Sequence, residues 1–356
     1  MRLIRFGVVA LLLLSCSTQA SPPPSPSPSP QAADLRTRMD LLLGENIILI
    51  AKVSAAAVNH SDQYSSYAIA LGANADDLAN LMRRAFGNTA ADEFRAHWTA
   101  ENASFVDYAN GVVTHSQDKA DAATSALDKE SILLAEYMAS LVAFVDPTRF
   151  VSPLRNQVTA VKKVVDDEFA QNVTAMYADL HLAYSSVLDV GDLMATRIAQ
   201  KFPDKFPGDP SLPSVARRVT VNGLLQEHAY LATMATDAAI NGRAAERQQA
   251  FAALSANANA IGSALKDGNV GKVWAQEVLA VAAYADHNDA ASKKGLTDTF
   301  VAQLSSAAHV PANLVTEEAG AIVKVIDDQR AKAYKTVAGD DRAAATAMQP
   351  IADAMT

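Results

Sequence analysis

Two strings place carboxylates inside apolar helical patterns, and each string occurs twice. "LLGENIILIAKVSAAAVNH" (42–60) carries Glu45, and "LLQEHAYLATMATDAAING" (224–242) carries Glu227 followed by His228. "WTAENASFVDYAN" (98–110) carries Glu101 and, one to two turns on, Asp107; "WAQEVLAVAAYAD" (274–286) carries Glu277. If the helices bearing these strings face one another, each half brings two carboxylates together, with His228 joining the second pair. Carboxylates projecting inward from facing helices are how ferritin-like bundles hold metal ions, and two carboxylates with an imidazole suit zinc or iron. Glu45, Glu101, Asp107, Glu227, His228 and Glu277 are therefore the candidate ligands for a divalent metal. The Glu-x-x-His pair of ferritin-like sites is absent from both copies. The preferred expectation is that these acids pair with Lys52, Arg95 or Lys272, or accept hydrogen bonds from tyrosines, and that no cofactor is held.

Other reactive side chains read as structural. Glu93 and His97 share a helix face but have no counterpart in the second half. His115 and His287 fall near helix ends beside Asp118 and Asp289, where an imidazole caps or complements the helix dipole. Trp98, Trp274, Tyr108 and Tyr284 suit core anchors. There is no G-x-S-x-G, H-E-x-x-H, Walker or G-x-G-x-x-G pattern, so an enzyme is the last of the expectations.

The single cysteine has a specific place. Arg2 and Arg5 precede the apolar run "FGVVALLLL" (6–14), and Leu13-Leu14-Ser15-Cys16 follows. The order of charge, apolar run and small residue is that of a secretory leader, too short to span a bilayer. The last four residues resemble a bacterial lipobox, which implies acylation of Cys16 and cleavage before it. Two or three acyl chains give stable attachment where one gives only marginal binding. "SPPPSPSPSP" (21–30) then predicts a polyproline-type spacer. At ~3.1 Å per residue the segment from Ser17 to Ala33 holds the following domain on the order of 50 Å from the membrane.

The elements that position these residues read as helices throughout. Half of the residues are hydrophobic but only 6% are aromatic, and the apolar mass is Ala, Leu and Val, which favours packed helices over sheet. Losing Arg2 and Arg5 leaves 28 basic against 39 acidic side chains, net −11, which argues against nucleic-acid partners. Helices are predicted from Leu35 to about Asn59, Tyr64 to Phe86, Ala90 to about His115 and Asp118 to Val145. A long segment follows Pro153 through Val165 and Met176, and a further one covers Leu188 to Ile198.

"LGANADDL" (71–78) matches "LSANANAI" (254–261), and "VVDDEFAQN" (164–172) matches "VIDDQRAKA" (325–333). Together with the two longer strings these blocks recur at offsets of 182, 183, 176 and 161, the mark of a tandem duplication. The expected architecture is all-α: two tandem up-down helical bundles with long connecting helices, each about four helices plus a trailing arm. The divisions are a leader (1–15), an anchor and linker (16–33), a first repeat (34–200), a Pro-rich connection (201–216) and a second repeat (217–356).

At the same blocks the chain resembles a family of secreted bacterial helical proteins without a settled biochemical role. The resemblance rests on Glu227-His228 (Glu45-Asn46 in the first copy), on Trp98 with Phe105-Val106-Asp107-Tyr108, and on Gly191-Asp192 with Phe202-Pro203-Asp204-Lys205-Phe206. Some members carry a copper amine oxidase label that belongs to an attached domain. Neither that domain nor its Asn-Tyr-Asp/Glu motif is present here. The expected function is a membrane-anchored extracytoplasmic binding or structural module, with helix faces or an inter-bundle cleft open to a protein or small-molecule partner. A metal-binding protein is the alternative.

Overall fold

The computed structural model describes residues 31–142 and 145–356. The leader, Cys16 and nearly all of the Pro/Ser spacer lie outside the described residues. Among these residues the secondary structure is helical without strands, as the composition predicts. The first half contains α1 (Gln31–Val58), α2 (Tyr64–Phe86), α3 (Asn88–Val113), α4 (Gln117–Leu141), α5 (Thr148–Phe169) and α6 (Val173–Lys201). The second contains α7 (Pro213–Ile240), α8 (Ala244–Leu265), α9 (Gly268–His287) and α10 (Ala290–Lys294). A π-helical turn (Gly295–Phe300), α11 (Val301–Ala308), α12 (Ala312–Ala331) and α13 (Val337–Met355) complete it.

Several boundaries move, each for a local reason. Ala32 and Ala33 were expected at the end of the linker; both are buried in the first turn of α1. Pro153 lies inside α5 rather than before it. The helical run expected from there to Met176 breaks at 170–172, where Gln171 takes a left-handed backbone (φ 57°), a helix-ending conformation. Lys332 does the same after α12 (φ 53°), and 332 is 171 plus the offset of 161. Past this break α6 is a single helix, not an arm ending in a separate segment.

The duplication therefore extends to the sixth helix: α6 and α13 correspond at the same offset as α5 and α12. The 15-residue fall in offset from 176 to 161 is taken up at the fourth helix, where the second half has the short α10, π-turn and α11 in place of α4. The expected connection, 201–216, reduces to 202–212. It is packed rather than loose, with Phe206 buried and the Pro207 carbonyl accepting from the Ala32 amide at 3.2 Å.

The two halves share one apolar core centred on α1 and α7. α1 packs against α2, α3, α5, α6 and α7; α7 packs against α8, α9, α12, α13 and α1. By length and composition α1 also resembles a membrane span, but 83% of its apolar window is buried inside the fold. A helix apolar on all sides and surrounded by others is a core helix. At the α1–α6 crossing Gly44 makes room for an aromatic ring, since a Cβ there would lie 2.5 Å from Tyr184. The Tyr184 hydroxyl then donates to the Gly223 carbonyl (3.0 Å) and Gln226 Oε1 (2.8 Å) on α7.

A buried ion pair also joins the halves. Lys52 Nζ on α1 meets Asp341 Oδ2 on α13 at 2.5 Å and donates to Thr233 Oγ1 at 3.0 Å; Tyr67 donates to the same Asp341 oxygen at 2.8 Å. Lys52 is 6% exposed and Asp341 1%. Removing one partner strands a buried charge. Chemical denaturation should show Lys52→Met losing ~3–5 kcal/mol, with Lys52→Met/Asp341→Leu recovering much of that loss. Equal stability of the single and double variants would mean that the pair does not join the halves energetically.

Candidate functional site

The duplication is written in polar contacts as well as in sequence. Asn74 Nδ2 donates to the Leu42 carbonyl (2.9 Å) and Glu45 Oε2 (2.8 Å); Asn257 Nδ2 donates to the Leu224 carbonyl (3.0 Å) and Glu227 Oε2 (3.0 Å). Tyr108 donates to Asp166 at 2.6 Å, and Tyr284 to Asp327 at 2.5 Å. Arg36 pairs with Asp192 as Arg218 pairs with Asp353, and Lys163 pairs with Asp179 as Lys324 pairs with Asp340.

Against this background, one difference between the halves creates a site. Glu45 and Glu227 are both buried on the central helices (4% and 2% exposed), and each meets a cationic side chain from the sixth helix of the other half. Arg342 on α13 donates through Nε to Glu45 Oε1 (3.1 Å) and through an NH2 to Glu45 Oε2 (2.9 Å). The same guanidinium reaches Asp77 Oδ2 on α2 at 2.7 Å. Tyr230 adds a bond to Glu45 Oε1 at 2.8 Å. The space left there is only about 60 Å³.

At the equivalent place His181 on α6 meets Glu227 Oε1 through Nδ1 at 2.8 Å. The hydrogen bond that the ring donates to Glu227 raises the imidazole pKa above its ordinary value. Among the described residues no second carboxylate stands beside it, because the residue matching Asp77 is Ala260. A groove of about 550 Å³ opens instead between α6 and α8. Its walls are mainly Ala252, Ala253, Ala256 and Ala260 of α8 with Leu182 and Leu231 opposite; His181 and Glu227 form its charged pair, and Thr174, Tyr177, Gln249 and Asn257 add polar groups. The alanine spacing puts all four on one helix face, and their short side chains leave the room. A concave, mostly apolar cleft of this size with a few converging polar groups is the usual form of a small-molecule site.

The sequence-predicted residues fall in several places. His228 and Glu277 do meet, Nε2 to Oε2 at 2.9 Å, and His228 Nδ1 lies 2.9 Å from Asn257 Oδ1. Glu227, expected beside Glu277, turns to His181 instead. Glu101 is 1% exposed with both oxygens unpaired, and Glu45 is held elsewhere by Asn74, Tyr230 and Arg342, so the expected pair on α1 and α3 does not form. Asp107 lies on the exposed face of α3 beside Ser104 and Asn110, away from the core carboxylates. Among the described residues, no group of three or more His, Cys, Asp or Glu side chains has the geometry to hold a metal. Of the expected partners, a tyrosine does serve Glu45, while Lys52 and Arg95 pair with Asp341 and Asp76. His115 takes a left-handed backbone just past α3, and His287 ends α9.

Sequence reasoning missed His181 and Glu318. Glu318 on α12 is buried with both oxygens unpaired; burial first, then neighbouring Glu277, raises its carboxyl well above the usual range. Its counterpart at the 161 offset is Gln157, also buried and unpaired. Carrying that offset beyond residue 333 would have aligned His181 with Arg342 and exposed the contrast. No family model, curated protein or solved structure matches the chain.

Burial, with a smaller contribution from Glu130, raises the Glu101 carboxyl from 4.5 to about 8. Between those values the folded chain keeps a proton that the unfolded chain has lost, so Glu101 weakens folding as pH rises from 4.5 to about 8. Urea unfolding at pH 5 and pH 8 should show Glu101→Gln flattening the decline, with a gain on the order of a few kcal/mol at pH 8. An unchanged slope would refute the assignment.

Proposed function

We propose that the protein is a membrane-tethered extracytoplasmic binding module that takes a small apolar ligand in the groove between its halves. The observation that carries this reading is the α6–α8 groove itself: about 550 Å³, walled by alanine and leucine, with the His181–Glu227 pair at one point. A duplicated fold that fills one such position with an arginine ion pair and leaves the other open supports recognition at the open one. Tethering rests on the lipobox-like Leu13-Leu14-Ser15-Cys16 and the Pro/Ser spacer behind it. Binding without turnover is favoured because the sequence carries none of the common catalytic motifs.

The metal reading ranks second. Within the core cluster His228 uses both ring nitrogens, Glu45 is enclosed by Arg342, Asn74 and Tyr230, and Glu227 is held by His181 and Asn257. Elemental analysis should accordingly find no stoichiometric divalent metal. Metal that disappears in Glu277→Gln would reverse the ranking of the two readings.

A neutral solvatochromic dye such as Nile red should bind the full chain with a blue-shifted emission, and Ala256→Trp, which fills the groove, should abolish it. Dye binding indifferent to Ala256→Trp would place recognition elsewhere. Cys16→Ser should release the protein from membranes into the soluble fraction; full retention would end the tether reading.

A further inference from the structure

We infer that the groove receives a monocarboxylic acid with an apolar body, its carboxylate facing Nε2 of His181 and its chain lying along the alanine face of α8. The inference rests on the groove being the binding site and adds the chemistry of what enters it. The argument comes from the other half of the molecule. There a cationic side chain from the sixth helix joins two carboxylates: buried Glu45 on the central helix and Asp77 on the second helix. The open half repeats the first two parts of this arrangement, with His181 for Arg342 and Glu227 for Glu45. It lacks the third, since Ala260 replaces Asp77. A ligand carboxylate would stand where Asp77 stands in the filled copy.

Three features of the open half fit that exchange. Glu227 engages Nδ1 of His181, and its other oxygen accepts from Asn257; among the described residues no protein group bonds Nε2. The bond to Glu227 favours the imidazolium, whose Nε2–H is a donor for an anionic acceptor. The remaining lining has no lysine or arginine. With the charge of His181 already facing Glu227, the site offers one free N–H donor to one carboxylate oxygen, which disfavours phosphates and dicarboxylates. The alanine and leucine walls supply burial for an alkyl chain at ~25 cal/mol per Å².

The experiment is titration calorimetry of the full chain carrying Cys16→Ser, so that no acyl chain competes, with decanoate and decanol as matched probes. Decanoate should bind once per chain, at least tenfold more tightly than decanol. His181→Gln should bring decanoate down to the decanol level. Ala260→Asp, which supplies the missing carboxylate from within, should block decanoate while leaving thermal stability at or above that of the parent. Equal binding of decanoate and decanol, unaffected by His181→Gln, overturns the carboxylate inference and leaves the groove reading standing. Binding of neither probe overturns both. Decanoate binding that survives Ala260→Asp shows that the acid sits elsewhere and overturns the inference on its own.

Discussion

Glu45 and Glu227 sit on the two most enclosed helices of the protein, where an uncompensated carboxylate would cost several kcal/mol. The fold answers this cost in the same way in both halves. The second helix brings an asparagine, Asn74 or Asn257, which also ties down a backbone carbonyl one turn earlier. The sixth helix of the opposite half brings the cation, Arg342 or His181. Since each central helix takes its cation from the other repeat, neither half supplies the charge partner of its own buried acid. This is a physical reason why the two share one core rather than standing as separate bundles. The Lys52–Asp341 pair, with Tyr67 and Thr233 around it, adds a second cross-repeat bond of the same kind.

The fold was largely legible in the sequence because helical period, alanine content and proline spacing are local properties. α2 begins and ends where Tyr64 and Phe86 predict, and the matched tryptophans and tyrosines are buried anchors in both halves. The site was not legible, and a single residue of register shows why. Glu227 and His228 are adjacent, so they point about 100° apart around α7, and both directions lead into the core because α7 is surrounded. Sequence alone could not say which of the two faces α9. His228 does, and Glu227 faces α6. An outward Asp107 one to two turns from an inward Glu101 is the same ambiguity on α3. His181 carried no motif at all; its meaning lies in its alignment with Arg342, which becomes visible only once α6 and α13 are recognised as the same helix.

A second set of differences lies deeper. Asn46, Glu101 and Gln157 correspond to His228, Glu277 and Glu318. The second half has thus exchanged two amides for an imidazole and an acid. There His228 satisfies Glu277 directly, and the acid form of Glu318 is favoured by its burial and by that neighbour. In the first half Glu101 has no such partner and relies on protonation. Both solutions avoid an isolated buried charge, one by pairing and the other by neutralisation. The acids of this layer belong to the packing of the bundle, and Asn257 links His228 to Glu227 at the groove.

The two copies have divided the demands that a single bundle would have to meet at once. A guanidinium forks between two carboxylates in a fixed plane, so Arg342 closes its copy and stitches α13 to both α1 and α2. An imidazole has only two nitrogens. Once Nδ1 is committed to Glu227, a single position remains, and His181 lines the groove beside Ala260 where the other copy has a second acid. With alanine in place of Asp77 at the equivalent position, the open copy has one ion pair fewer, and Ala260 is one of the short side chains that line the groove of about 550 Å³. The loss is tolerable because Asn257 and His181 still satisfy Glu227, so the buried charge never depended on the missing carboxylate. The buried acid is thus satisfied beside an open groove without the second ion pair that Arg342 makes in the other copy.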